Sequence, residues 1–158
     1  MKMSATATFA IKQLQTTFHG GAWHGPAVME VLEGVTHEQA AARPIANGNT
    51  IWQLVHHLAF TMDLVRARLH GDERLRSDEE HWPPVTHTSE SGWQKSLGWL
   101  KRSHEELVKA VEEHDGDLNE EFPAGMGVTH AARLHGCVEH NCYHAGQIAH
   151  LRKLIPGG

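Results

Sequence analysis

The stretch Thr129 to Leu154, THAARLHGCVEHNCYHAGQIAHLRKL, decides the reading of the chain. Thr129 is a suitable N-cap, and Pro156-Gly157-Gly158 follows the stretch where a helix should stop. At about 100° per residue, Cys137, His140, His144, Ile148, Leu151 and Ile155 fall within one broad sector of the helix, while His135 and His150 point away from it. Two histidines therefore share the apolar face. Their H-x-x-x-H spacing stacks both imidazoles on one side of the helix, where both can reach a single ion.

Outward from this helix, apolar residues recur at helical spacing in three further long stretches, and strand alternation is absent. The expectation is an all-α, four-helix bundle in one domain covering residues 1–158. The first stretch runs from about Thr6 to Gly34, with breakers at Gly20, Gly21 and Gly25-Pro26 that predict a kinked or divided helix. Thr36 to Gln39 fits a capping box and predicts a short helix, His37 to Arg43, followed by a loop through Asn49. Thr50 to Gln53 repeats that pattern and should open a helix reaching His70, with Ile51, Leu54, Val55, Leu58, Met62, Val65 and Leu69 as its stripe.

Asp72 to Glu90 is charged and carries Pro83-Pro84, which predicts a long connection. A third long helix should start near Ser91, with Gln94 completing a capping box, and end around Gly116. Asp117 to Gly127, with Pro123 and Gly125, reads as a loop. A long second connection is what a crossover between two parallel helices requires.

Composition removes several functions. The chain has 158 residues, 40% of them hydrophobic, enough for one core. A net charge of -5 without a basic stripe argues against nucleic acid. No apolar run suits a membrane span, and MKMSATATFAIKQLQ lacks the apolar core of a secretory signal, so a cytoplasmic protein is expected. The phosphate loop, the G-x-S-x-G elbow and H-E-x-x-H are all missing. Cys137 and Cys142 are too few for a disulfide framework, and reduced thiols are expected. Five tryptophans, Trp23, Trp52, Trp82, Trp93 and Trp99, read mostly as core anchors, with Trp82 a candidate for a pocket mouth.

Fifteen histidines make the choice of ligands the central problem. His19, His37, His70, His81, His87, His104 and His114 lie among polar residues or near predicted helix ends, where solvated imidazoles are expected. A third ligand beside His140 and His144 should come from Trp52-Gln53-Leu54-Val55-His56-His57-Leu58. His57 shares an edge with Leu54, Thr61 and Leu64, whereas His56 turns further round and is the fallback. Three neutral imidazoles leave a coordination position open, as catalytic sites do. Zinc or nickel heads the candidates, with iron, cobalt and manganese also admitted by this donor set. Gln147 is a candidate to orient an imidazole, Cys137 a candidate fourth ligand, and Glu139 a solvated residue. Arg152 and Lys153 suit the helix dipole.

Ala22-Trp23-His24-Gly25-Pro26, Asn49 to Leu58 and His140-Asn141-Cys142-Tyr143-His144-Ala145-Gly146-Gln147-Ile148 together resemble the DinB-like metal-binding superfamily over nearly the whole chain. The resemblance implies an up-down-down-up bundle, a metal site with one histidine from the second long helix and two from the fourth, and a homodimer. It places the first of these ligands on the histidine directly before the leucine, His57. It also implies a small-molecule substrate, with thiol transfer from a low-molecular-weight thiol such as bacillithiol or mycothiol as the leading expectation. The alternatives are metal-dependent hydrolysis and a non-catalytic metal- or ligand-binding stress protein.

Overall fold

The computed structural model describes residues 3–123 and 126–157. Gly125 and Gly158, read above as a loop breaker and a helix stop, lie outside the described residues, as do residues 1, 2 and 124. Among the described residues there are seven helices and no strand: α1 (Ala5–His19), α2 (Val28–Leu32), α3 (His37–Ala41), α4 (Ile51–Leu69), α5 (Asp78–His81), α6 (Glu90–Glu113) and α7 (His130–Leu154). None is long and apolar enough to cross a membrane.

Local chemistry explains most boundaries. The hydroxyls of Ser4, Thr36, Thr50, Ser77, Ser89 and Thr129 each accept an N–H from the first turn they precede, which satisfies donors that a helix leaves open. Gln39, Gln53 and Glu80 return the bond to the capping residue's own N–H. After α4 the chain turns at Gly71, whose φ of 88° favours glycine.

The first long stretch is divided as expected, because the chain leaves helix at Gly20 and restarts at Val28. Two other features differ from the sequence reading. The cap of α6 is Ser89 in place of Ser91, since the Ser89 hydroxyl accepts the Gly92 N–H at 3.2 Å while Gln94 bonds to Glu90. Gly92 is needed there, because a Cβ would lie 2.8 Å from the His87 carbonyl oxygen. The connection from Asp72 to Glu90 also contains a helical turn, α5, capped by Ser77 and ended before Pro83-Pro84.

Four long helices, α1, α4, α6 and α7, enclose a core that includes Leu14, Phe18, Trp52, Leu58, Trp93 and Leu107. Burying each such side chain contributes on the order of 1.5–3 kcal/mol. Pairings fix how the helices run. Trp52 meets Trp93 and Ser96, Asp63 accepts the Trp99 indole N–H, and Arg66 pairs with Glu106, so numbering rises together along α4 and α6. Thr6 and Phe9 share a groove with Ala131 and Leu134, while Thr17 meets Asn141, so α1 and α7 also rise together. Across α4 and α7 the order reverses: His57 meets His140, and the earlier Leu54 shares a cavity with the later Leu151.

Two expectations about individual side chains are corrected. Trp23 is fully exposed, at 103% of its reference area, because it sits in the break between α1 and α2 and not in a core helix. His104, read as solvated, is 1% exposed and stacks on Phe18 at 3.9 Å. It lies one turn after buried Leu100 and three residues before buried Leu107, so helical spacing places it on the core face. Arg152 does more than face the helix dipole, donating to the Val31 carbonyl at 3.0 Å and tying the end of α7 to α2.

Candidate metal centre

α4 lies between α6 and α7, and its adjacent histidines turn to opposite neighbours. His56 Nε2 lies 2.8 Å from Ser96 Oγ on α6, and His57 Nε2 lies 2.9 Å from His140 Nε2 on α7. Each uses its other nitrogen to hold the connection that crosses α4: His56 Nδ1–H donates to the Pro83 carbonyl at 3.2 Å and His57 Nδ1–H to the His81 carbonyl at 2.6 Å. His56 is thus occupied by protein partners on both sides. The connection also places the Trp82 ring flat against His57, with centroids 3.9 Å apart and planes within 5°.

This path over α4 is braced upstream. Arg68 donates to the Asp72 and Arg74 carbonyls, Arg76 pairs with Asp72, and Arg74 pairs with Glu80 at 2.7 Å. These bonds tie the segment before α5 to the end of α4, and α5 then delivers His81 and Trp82.

On α7, His144 Nε2 lies 3.0 Å from His140 Nε2, and His144 Nδ1–H donates to Gln147 Oε1 at 2.6 Å. The ligand atoms of His57, His140 and His144 all lie within 4.8 Å of one another, and the group among the described residues contains no carboxylate or thiolate. Cys137, the candidate fourth ligand, is buried in the apolar core, where desolvation pushes its thiol up to about 12. Glu139 is exposed, 3.4 Å from His135.

Proton bookkeeping tests whether these residues suit a cation. Because the Nδ1 atoms of His57 and His144 donate to oxygen acceptors, their Nε2 atoms carry lone pairs. Both face His140 Nε2, which holds at most one proton and can satisfy only one of them. A metal ion among the three nitrogens accepts what a proton cannot. Metal–imidazole bonds of about 2.0–2.1 Å, at angles of roughly 90° to 110°, put ligand nitrogens about 2.9–3.4 Å apart. The separations of 2.9 and 3.0 Å fit that range.

Electrostatics favour the neutral rings that ligation requires. Burial lowers the pKa of His57, opposed by its bond to the His81 carbonyl. Burial, with His144 and His57 close by, takes His140 down to about 3. His144 falls to about 4, again mainly through burial, with the Gln147 bond opposing. The three-histidine cluster can therefore hold a metal ion near neutral pH.

Sequence reasoning missed two contributors, the His81 carbonyl and the Trp82 face. A backbone acceptor leaves no residue-type signal, and only the position of Trp82 beside Pro83-Pro84 hinted at a mouth. No curated protein and no solved structure matches the chain. The sequence model of the DinB superfamily matches residues 22–148, a span that includes all three histidines, and the chain belongs to that superfamily.

Proposed function

We propose that the protein is a metal-dependent enzyme in which His57, His140 and His144 hold a divalent ion, zinc or nickel, and that it transfers a low-molecular-weight thiol to an electrophile. The observation that carries this reading is the convergence of three neutral imidazole nitrogens with no fourth histidine, cysteine or carboxylate among the described residues. Imidazole donors suit zinc and nickel, and three protein ligands leave a position for a reactant. The pairings of α1, α4, α6 and α7 read as a four-helix bundle of up-down-down-up topology, whose long crossover supplies Trp82 to the site.

A divalent ion bound there supplies a Lewis acid that lowers the pKa of a thiol or water entering the open position. The chain's own contribution is orientation and exclusion of water. His81 and Gln147 fix the tautomers of two ligands through bonds of 2.6 Å each, and Trp82 shields one face of His57. Thiol transfer is favoured over hydrolysis because the ring hydrogen bonds of the three histidines go to one another, the His81 carbonyl and Gln147, none to a carboxylate that could serve water as a general base, whereas a thiolate once formed needs none.

Metal-loaded protein incubated with monochlorobimane tests the reading. A carbon–sulfur bond forms, chloride leaves and the thiol proton passes to solvent. The expected result is a metal-dependent rate above the uncatalysed one with at least one of bacillithiol, mycothiol, glutathione or coenzyme A, lost in His144→Ala. No such rate with any of the four contradicts thiol transfer.

A further inference from the structure

Beside the histidines is a cavity of about 360 Å³ between the start of α4, the later turns of α7 and the loop before α4. Its walls include Ile45, Leu54, Leu151 and the Tyr143 ring, with Asn49 and Gln147 among its polar groups. No acidic residue, lysine or arginine lines it. Leu54 is one turn before His57 on α4, and Gln147 is one turn after His144 on α7, so the cavity adjoins the metal centre along both helices.

The loop wall is built, not incidental. Gly48 N–H donates to the Ile45 carbonyl at 3.0 Å, and Arg43 donates both to the Gly48 carbonyl and to Gln53 Oε1. Gln53 also accepts the Thr50 N–H at 2.9 Å, which joins the wall to the cap of α4. Ile45 and Tyr143 nevertheless remain 49% and 64% exposed at its rim, apolar surface that a bound apolar group would cover.

Gln147 belongs to both places. Its Oε1 accepts from His144 Nδ1, and among the described residues its amide N–H₂ has no protein partner. Carboxamides have separate donor and acceptor ends, so one end can orient the ligand histidine while the other faces the cavity.

Building on the metal-dependent reading above, we propose that this cavity is the recognition pocket for the second substrate. It takes an uncharged apolar group, a single aromatic ring or a branched alkyl chain, whose hydrogen-bond acceptor is read by the Gln147 N–H₂. Tyr143 and His150 are the titratable wall residues, and without an aspartate, glutamate, lysine or arginine the cavity disfavours a charged group, which would lack a fixed counter-charge. The Gln147 amide donor, left over from the bond to His144, favours a carbonyl or ether oxygen over a plain hydrocarbon. Gln147 is here a positioning residue that links occupancy of the pocket to His144.

Titration of the ¹⁵N-labelled full chain with acetophenone, and with ethylbenzene as the acceptor-free control, tests this, with metal content measured on the same samples. Acetophenone should shift the amide signals of Gly48, Asn49, Gly146 and the Gln147 side chain, and bind more tightly than ethylbenzene. Gly146→Leu should fill the pocket: a Cβ there meets nothing within 4 Å, and leucine suits a helix better than glycine. That variant should keep its metal and bind acetophenone at least about tenfold more weakly. Gln147→Leu should erase a preference of about fivefold for acetophenone over ethylbenzene, the equivalent of one neutral hydrogen bond.

Shifts elsewhere on the molecule, no binding up to the solubility limit, or equal binding to wild type and Gly146→Leu would overturn the pocket. Wild type that binds acetophenone, is blocked by Gly146→Leu and yet holds no metal would leave the pocket standing and remove the metal-dependent reading.

Discussion

Two groups of buried histidines invite comparison. His104 packs between α1 and α6, flat on Phe18 and edge-on to His19, and neither of its ring nitrogens has a partner. His57 and His144 are also buried and His140 is half-buried, but their Nε2 atoms converge and two of their Nδ1 atoms are anchored. Burial takes His104 and His144 to the same value, about 4. A depressed pKa thus separates core from solvent, not ligand from filler. What marks the metal centre is the convergence of three Nε2 atoms, two of them on rings anchored through Nδ1, while His140 Nδ1 has no partner.

The largest expected effect breaks the convergence. His57→Ala, His140→Ala and His144→Ala should each weaken metal binding by more than about 100-fold, since loss of a ligand exceeds the 10- to 100-fold typical of an outer partner. His104→Leu should leave stoichiometry unchanged. Elemental analysis of protein purified without an affinity tag reads both, and equal metal content in all four variants would erase the distinction.

Metal removal should then lower thermal stability in wild type and not in the variants that lack a ligand histidine. At free metal about 100-fold above Kd, binding adds about 2.7 kcal/mol, and each kcal/mol is worth about 2–4 °C for a chain of this size. Calorimetry with and without chelator should show a Tm difference of about 5–11 °C, absent from His144→Ala. A smaller effect tests anchoring: Gln147→Leu should keep one ion per chain and lose roughly tenfold in affinity, measured by competition with a chromogenic chelator.

At the other cluster the sign reverses. His104→Leu replaces an unpartnered polar ring with an apolar side chain and should raise the denaturant midpoint, by about 1 kcal/mol of stability. The folded protein holds His104 near 4, while the unfolded chain takes up the proton near the ordinary value of 6.5. Stability from this residue is therefore intact above pH 6.5 and is lost as pH falls toward 4, because the unfolded state binds more protons there. The variant should show a shallower loss across that window, and identical profiles would contradict the assignment.

Much of this organisation was legible in the sequence. H-x-x-x-H on an apolar helix face picked out His140 and His144, and wheel position favoured His57 over His56 by a margin that hydrogen bonding explains: His56 faces α6. Capping patterns placed α3, α4 and α7, but two serines stand near the start of α6, and the bonds that make Ser89 the cap, from Gly92 N–H to its hydroxyl and from Gln94 to Glu90, are seen only in the structure. His104 was misread because its polar neighbours, Arg102, Glu105 and Glu106, hid a core position that its spacing from Leu100 and Leu107 reveals. The bond from His57 to the His81 carbonyl could not be read at all, since it depends on where the connection of residues 70–89 crosses α4.

Anomalous scattering at the metal edge, from crystals of untagged protein grown with zinc, tests the central claim most directly. The account predicts one peak per chain, about 2.0–2.1 Å from the Nε2 atoms of His57, His140 and His144. A zinc peak elsewhere, or none at all with the three rings bonded to one another or to water, would contradict it.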